Sequence, residues 1–225
     1  MILFIKHAKT EGPGTLESFF KKAFGDTRTV ELLDNGKLPS INDCEAIICL
    51  GGPMNVYETE KYQFLKVEES FLSDALKKNI PILGICLGAQ LLAKVSGARI
   101  IKAENKEIGW YNINLTEEGK ADQFFKGLGE NLEIFQWHED SFCVPDTGVL
   151  LATSNTCKNQ AIRIGKCAWA LQFHPEMTKE MIDCWAKNEK DSDRNKMLNG
   201  YLAKKNVYDN QSKIMFSNFS KMIVG

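Results

Sequence analysis

Residues 81–95 read Pro-Ile-Leu-Gly-Ile-Cys-Leu-Gly-Ala-Gln-Leu-Leu-Ala-Lys-Val, a short apolar run that passes into a helical pattern with only Cys86 at the junction. A buried strand joined to a helix without a loop must turn sharply, and at such a turn the two backbones come close. Gly84 and Gly88 flank the junction where side chains would collide, and Cys86 itself is forced toward a strained conformation. A strand pressed against the helix that follows it is the building unit of a parallel α/β sheet.

The rest of the chain repeats this alternation. Apolar runs at residues 2–5, 29–33 and 46–50 lie between helical patterns at 15–24 and 61–78. In the second of these, Phe64, Leu65, Phe71, Leu72, Ala75 and Leu76 recur at three-to-four spacing, and Pro81 stops the helix. The helix after Cys86 spans 87–95 with Gly97 as its cap. Further strands are predicted at 99–102, 108–115, 132–137, 148–153, 160–164 and 168–173, several alternating as antiparallel strands do. Beyond Thr178 only helical patterns remain, at 181–187, 196–205 and 212–223. The expected architecture is α/β: a flavodoxin-like three-layer fold with a central, mostly parallel sheet flanked by helices, plus antiparallel strands. Residues 1–185 form the expected domain and 186–225 a C-terminal helical extension packed on it.

With 225 residues, 44% of them hydrophobic, the chain can bury a sizeable core and cannot remain disordered. Lys and Arg total 28 against 29 Asp and Glu, so no global positive field exists to attract phosphate backbones, and nucleic acid is excluded as an expected partner. The lysines of residues 186–225 are spread out and read as solvated helix faces. Seven cysteines, an odd number without CxxC spacing, are expected to be reduced, and no metal site is expected. Residues 1–5 are too short for a signal segment, and no apolar run approaches the ~18 residues of a membrane span. A soluble cytoplasmic protein without a membrane partner is expected.

Cys86 opens a helix, where unpaired N–H groups and the helix dipole favour thiolate over thiol and make the sulfur a nucleophile. Gln90, one turn on, leans back toward a substrate held there. A thiolate needs a base, and the chain has three histidines: His7, His138 and His174. His174 ends a predicted strand, and Pro175 and Glu176 follow; in extended chain, side chains 174 and 176 project to the same side. A histidine oriented by a carboxylate beside a cysteine is the logic of a triad. Gly51-Gly52-Pro53 follows the strand at 46–50; Pro53 has no N–H, so the Gly52 amide pairs with that of Leu87 as candidate donors to a developing oxyanion.

Together, Gly51-Gly52-Pro53-Met54, the segment 84–90 and Gln172-Phe173-His174-Pro175-Glu176 resemble, in order and spacing, the class I glutamine amidotransferase family over roughly residues 1–185. Glu107-Ile108-Gly109-Trp110 and Gln136-Trp137-His138-Glu139-Asp140 are similar to its stand-alone branch, related to the amidotransferase domain of GMP synthase. The resemblance implies a catalytic triad of Cys86, His174 and Glu176, an oxyanion hole at Gly52 and Leu87, and substrate contacts from Gln90, Trp137, His138 and Asp140, with no cofactor. His138 has either a binding or a structural role. The family usually carries Ser-His-Gly-Asp at 137–140, and Trp137 and Glu139 depart from it, leaving open whether the amide is glutamine or another γ-glutamyl compound. No P-loop or synthetase segment is recognisable in the sequence. Three readings follow: a free hydrolase of glutamine or of γ-glutamyl amides or peptides, a glutaminase subunit that serves a separate synthetase, and an idle binding or regulatory protein.

Overall fold

The computed structural model describes residues 1–224. Strand β1 (Ile2–Lys6) is buried on both faces, with Ile2 and Phe4 in the apolar cluster on one side of the sheet and Leu3 and Ile5 in the cluster on the other. The chain continues through α1 (Thr15–Phe24), β2 (Thr27–Glu31), β3 (Ala46–Cys49), α2 (Phe64–Lys77), β4 (Ile82–Ile85) and α3 (Leu87–Val95). Then come β5 (Ile100–Leu115), α4 (Glu117–Ala121), β6 (Asn131–Phe142), β7 (Gly148–Thr153), β8 (Ala161–Ile164), β9 (Ala168–Leu171), α5 (Lys179–Trp185) and α6 (Asp191–Val224).

The strands form one sheet in the order β2-β1-β3-β4-β9-β8-β7-β5-β6. From β2 to β9 the pairing is parallel, and from β9 to β6 it is antiparallel. The sheet curls: β6 lies at its far edge, yet Phe135 of β6 makes an antiparallel bridge to His174, just past the end of β9. Leu65, Leu72 and Ala75 of α2 pack with Leu91 and Leu92 of α3 on one face. Leu16 and Phe20 of α1 pack with Phe216 and Phe219 of α6 on the other. The expected three-layer α/β architecture is the one observed. No helix among the described residues is long and apolar enough to cross a membrane.

Several boundaries differ from the sequence reading. Helix α2 begins at Phe64 rather than 61, because Lys61 and Tyr62 close a separate turn on the Glu58 carbonyl. The strands expected at 99–102 and 108–115 are one strand, β5, with a shift of register between Lys102 and Glu107 that carries Glu104, Asn105 and Lys106 into solvent. Strand β6 runs on to Phe142 because its polar half pairs with β5, Glu107 opposite His138 and Lys102 opposite Asp140. The helices expected at 196–205 and 212–223 are one helix, α6. At Gly200 a Cβ would lie 2.5 Å from the Trp110 indole, so the helix passes that ring only because glycine stands there.

Candidate active site

Strands β1, β3, β4 and β9 are parallel neighbours, so their C-terminal ends open on the same edge of the sheet, where α/β folds place ligands. Glu11 follows β1, Gly52 follows β3, Cys86 follows β4 and His174 follows β9, and all four line one cleft of about 590 Å³.

Cys86 sits between β4 and α3 at φ 51° and ψ −106°, a conformation that side chains rarely adopt. Its N–H donates to the Leu171 carbonyl at 2.8 Å, and the Gly88 N–H donates to the Leu50 carbonyl at 3.1 Å, which pins the turn to both neighbouring strands. A Cβ at Gly84 would meet the Gly88 carbonyl oxygen at 2.7 Å, and one at Gly88 would meet the Cys49 carbonyl oxygen at 2.2 Å. Both glycines are therefore steric requirements of the elbow. The thiol is almost wholly buried and lies 3.7 Å from the Trp137 carbonyl oxygen, to which it donates.

The His174 N–H donates to the Phe135 carbonyl at 2.9 Å, so the bridge to β6 fixes the backbone of this loop. Nδ1 donates to Oε1 of Glu176 at 2.7 Å, with both side chains buried, and Nε2 has no hydrogen-bond partner among the described residues. Burial opposes a charge on the ring, but the Glu176 carboxylate and the Cys86 sulfur beside it prevail and hold His174 well above the usual histidine range. From α6, the Tyr208 hydroxyl donates to the His174 carbonyl at 2.8 Å and accepts from the Met177 N–H at 2.9 Å.

Gly52 borders the cleft beside Leu87: a Cβ on Gly52 would lie 2.6 Å from the Leu87 side chain. The Gly52 N–H has no backbone acceptor among the described residues, and Leu87, first residue of α3, has none within its helix. Gln90 donates to the Asp140 carbonyl at 3.1 Å and to Gln172 at 3.3 Å, which occupies its amide nitrogen and leaves Oε1 as the atom available to a ligand. Asp140 is paired with Lys102 at 2.8 Å, and the lysine's hydrogen bonds to Asp140 and then to Tyr57 push it up to about 12. Both ring nitrogens of His138 are engaged within the protein, Nδ1 on the Asp140 carbonyl at 3.0 Å and Nε2 on Glu107 at 2.8 Å. Glu107 is buried, yet bonds from His138, Thr156 and Gln160 outweigh the burial and keep its carboxyl below the usual range.

The half-buried Trp137 ring stands edge-on to Trp185 of α5 at 5.9 Å, and Trp185 lies 5.0 Å from the His174 ring. Trp185, Lys102 and Glu11 border the cleft without having been singled out in the sequence. Burial raises the Glu11 carboxyl despite the nearby His174 and His7. Among the described residues, His7, Cys49 and Glu68 form one compact set of metal-ligand types, and Glu107, His138 and Cys157 another. Within each set two members share a direct hydrogen bond, His7 with Glu68 at 2.9 Å and His138 with Glu107 at 2.8 Å.

Residues 24–184 match the family model described as glutamine amidotransferase class-I. The glutamine amidotransferase-like protein YfeJ of Salmonella typhimurium is 30% identical over 148 residues, which is 64% of this chain but 62% of that protein, less than two thirds of its length. One of the subunits of the glutamine-hydrolysing GMP synthase of Sulfolobus acidocaldarius is 32% identical over 152 residues, 66% of this chain and 76% of that one. The crystal structure of a glutamine amidotransferase from Thermotoga maritima is 33% identical, covers 100% of this chain and 98% of that one, and superposes with a TM-score of 0.89.

Proposed function

Since the chain belongs to the class-I glutamine amidotransferase family, we propose that it hydrolyses the γ-carboxamide of glutamine or of a γ-glutamyl compound through a thioester on Cys86. The observation that carries this reading is the His174–Glu176 bond of 2.7 Å, which orients the imidazole while its Nε2 is left without a partner in the cleft that holds Cys86. In the proposed sequence the Cys86 thiolate attacks the amide carbon, and the oxygen, now negative, is held by the Gly52 and Leu87 amides. The His174 imidazolium gives its proton to the nitrogen, the C–N bond breaks, and ammonia or an amine leaves. His174 then takes a proton from water, whose oxygen attacks the thioester. The C–S bond breaks, and glutamate departs with Cys86 again a thiolate and His174 again protonated. Glu176 only orients and stabilises the ring.

The relative from Sulfolobus acidocaldarius, being one subunit of a GMP synthase, favours a second reading in which the ammonia passes to a separate synthetase. Glutamate release from glutamine and from γ-glutamyl amines and peptides, measured on the purified chain without ATP and against Cys86→Ala, separates the two. Turnover of γ-glutamyl amines or peptides by the chain alone, faster than that of glutamine, supports the free hydrolase. Turnover confined to glutamine, or appearing only with an added synthetase, supports the subunit reading, and labelling of Cys86 without turnover under any condition supports an idle scaffold.

A further inference from the structure

His7 takes no part in the chemistry above, yet it is wholly buried just past the end of β1, close to the cleft. Its Nδ1 lies 2.9 Å from the Gly51 carbonyl oxygen, which can only accept, so Nδ1 carries a proton and donates it. Its Nε2 lies 2.9 Å from both carboxylate oxygens of Glu68, a residue of α2 that is also wholly buried. The Cys49 thiol donates to the same carboxylate at 3.0 Å. Burial disfavours a charged ring, but Glu68 and the Gly51 carbonyl outweigh it and raise His7 above its ordinary range. A buried ion pair is at best a weak stabiliser of a core. What this one holds is a peptide plane.

The Gly51 carbonyl belongs to the peptide joining Gly51 to Gly52, and there is no cis peptide bond among the described residues. In a trans peptide the C=O and the N–H point in opposite directions. With the carbonyl held on His7, the Gly52 N–H is turned to the other side. Gly51 directly abuts the reacting pair: a Cβ on it would lie 3.1 Å from Cε1 of His174 and 3.7 Å from Cβ of Cys86. Two adjacent glycines leave a peptide plane free to rotate, so its orientation has to be imposed from outside. We propose that His7, anchored by Glu68, is a positioning residue that clamps the Gly51–Gly52 peptide and aims the Gly52 amide at the oxyanion. This rests on the hydrolytic reading of the cleft. Donation to the carbonyl also polarises the peptide and strengthens its N–H as a donor.

Two substitutions divide the imidazole between them. The amide nitrogen of asparagine reaches about as far as Nδ1, so His7→Asn keeps a donor for the Gly51 carbonyl and abandons Glu68. Glutamine reaches as far as Nε2, so His7→Gln keeps the Glu68 contact and releases the peptide. The expected result for His7→Gln is a fall in kcat of about 10²–10³-fold, the effect of losing one oxyanion donor, with KM nearly native. His7→Asn recovers kcat to within roughly tenfold of the native chain. Alkylation of Cys86 by iodoacetamide, which passes through no oxyanion, keeps its native rate in both. A native kcat in His7→Gln overturns the proposal, as does a His7→Asn no better than His7→Gln.

Where these variants fail to fold, the native chain supplies the test. When an N-acetylated glutamate γ-semialdehyde adds to Cys86, the amide proton of Gly52 and the Nδ1 proton of His7 shift together in NMR spectra. An adduct that leaves both unmoved overturns the clamp while the functional reading stands. Failure of the aldehyde to add to Cys86 at all overturns both.

Discussion

The thiol of Cys86 and the carbonyl oxygen of Trp137 lie 3.7 Å apart, the sulfur donating. The same sulfur stands beside the ring of His174, whose charge is favoured by Glu176, so its neighbours are a carbonyl of β6 and an imidazole from the loop after β9.

Glu176→Gln removes the carboxylate that raises His174 and keeps an acceptor for Nδ1. The imidazole titration, followed by NMR, is expected to move to lower pH, and the alkaline limb of kcat/KM to move with it, since amine departure needs the imidazolium. Activity is reduced but measurable, whereas Cys86→Ala and His174→Ala abolish it. Equal and total loss in all three variants, with the fold intact by circular dichroism, contradicts this division of roles.

A glutamine-like electrophile at substoichiometric dose is expected to label Cys86 and spare the others. Burial raises the thiols of Cys44, Cys49, Cys157 and Cys167 and keeps them protonated. The sharpest competitor is Cys184, which borders the same cleft. Peptide mapping that finds the label there rather than on Cys86 would mean that exposure in the cleft, not thiolate character, governs reactivity.

The edge-on pair of Trp137 and Trp185 gives the cleft an apolar corner beside His174, suited to a leaving group bulkier than ammonia. A γ-glutamyl peptide or arylamide is expected to show a higher kcat/KM than glutamine, and Trp137→Ala to narrow the gap through the bulkier substrate. Robust turnover of glutamine alone, unchanged in Trp137→Ala, argues for the subunit reading.

Stability carries its own pH signature. His174 is raised in the folded state relative to about 6.5 in an unfolded chain. Above that pH the folded protein holds a proton that the unfolded chain has lost, so this contribution is full below about 6.5 and disappears as pH rises through the folded value. Urea midpoints measured from pH 6 to 9 are expected to fall more steeply for the native chain than for His174→Gln. A native midpoint that rises over this range, with His174→Gln flat, reverses the sign and would falsify the charge assignment.

The parts of the site that could be read in the sequence are those whose reason is local. Gly84 and Gly88 are needed by the contacts of one turn, and His174 and Glu176 are two residues apart in extended chain, so a pattern of a few residues carries each. Glu11 and His7 belong to no such pattern. They reach the site because β1 lies beside β3, and β3 beside β4, an order of strands that no short segment encodes. Trp185 arrives by way of the turn after β9. The continuous α6 was hidden for a related reason: residues 206–211, left between the two expected helices, are mostly polar, yet they carry the Tyr208 hydroxyl that is buried on the loop after β9.

Tyr208 also sets an order of events in the making of the protein. The hydroxyl that holds the His174 carbonyl and the Met177 amide comes from α6, which is synthesised after Cys86 and Gly52. A nascent chain stopped short of that helix carries Cys86 on a finished turn while the loop bearing His174 lacks this anchor. Assembly of the cleft thus waits for α6, and until Tyr208 is in place the loop after β9 lacks the bond that ties it to the far layer of the fold.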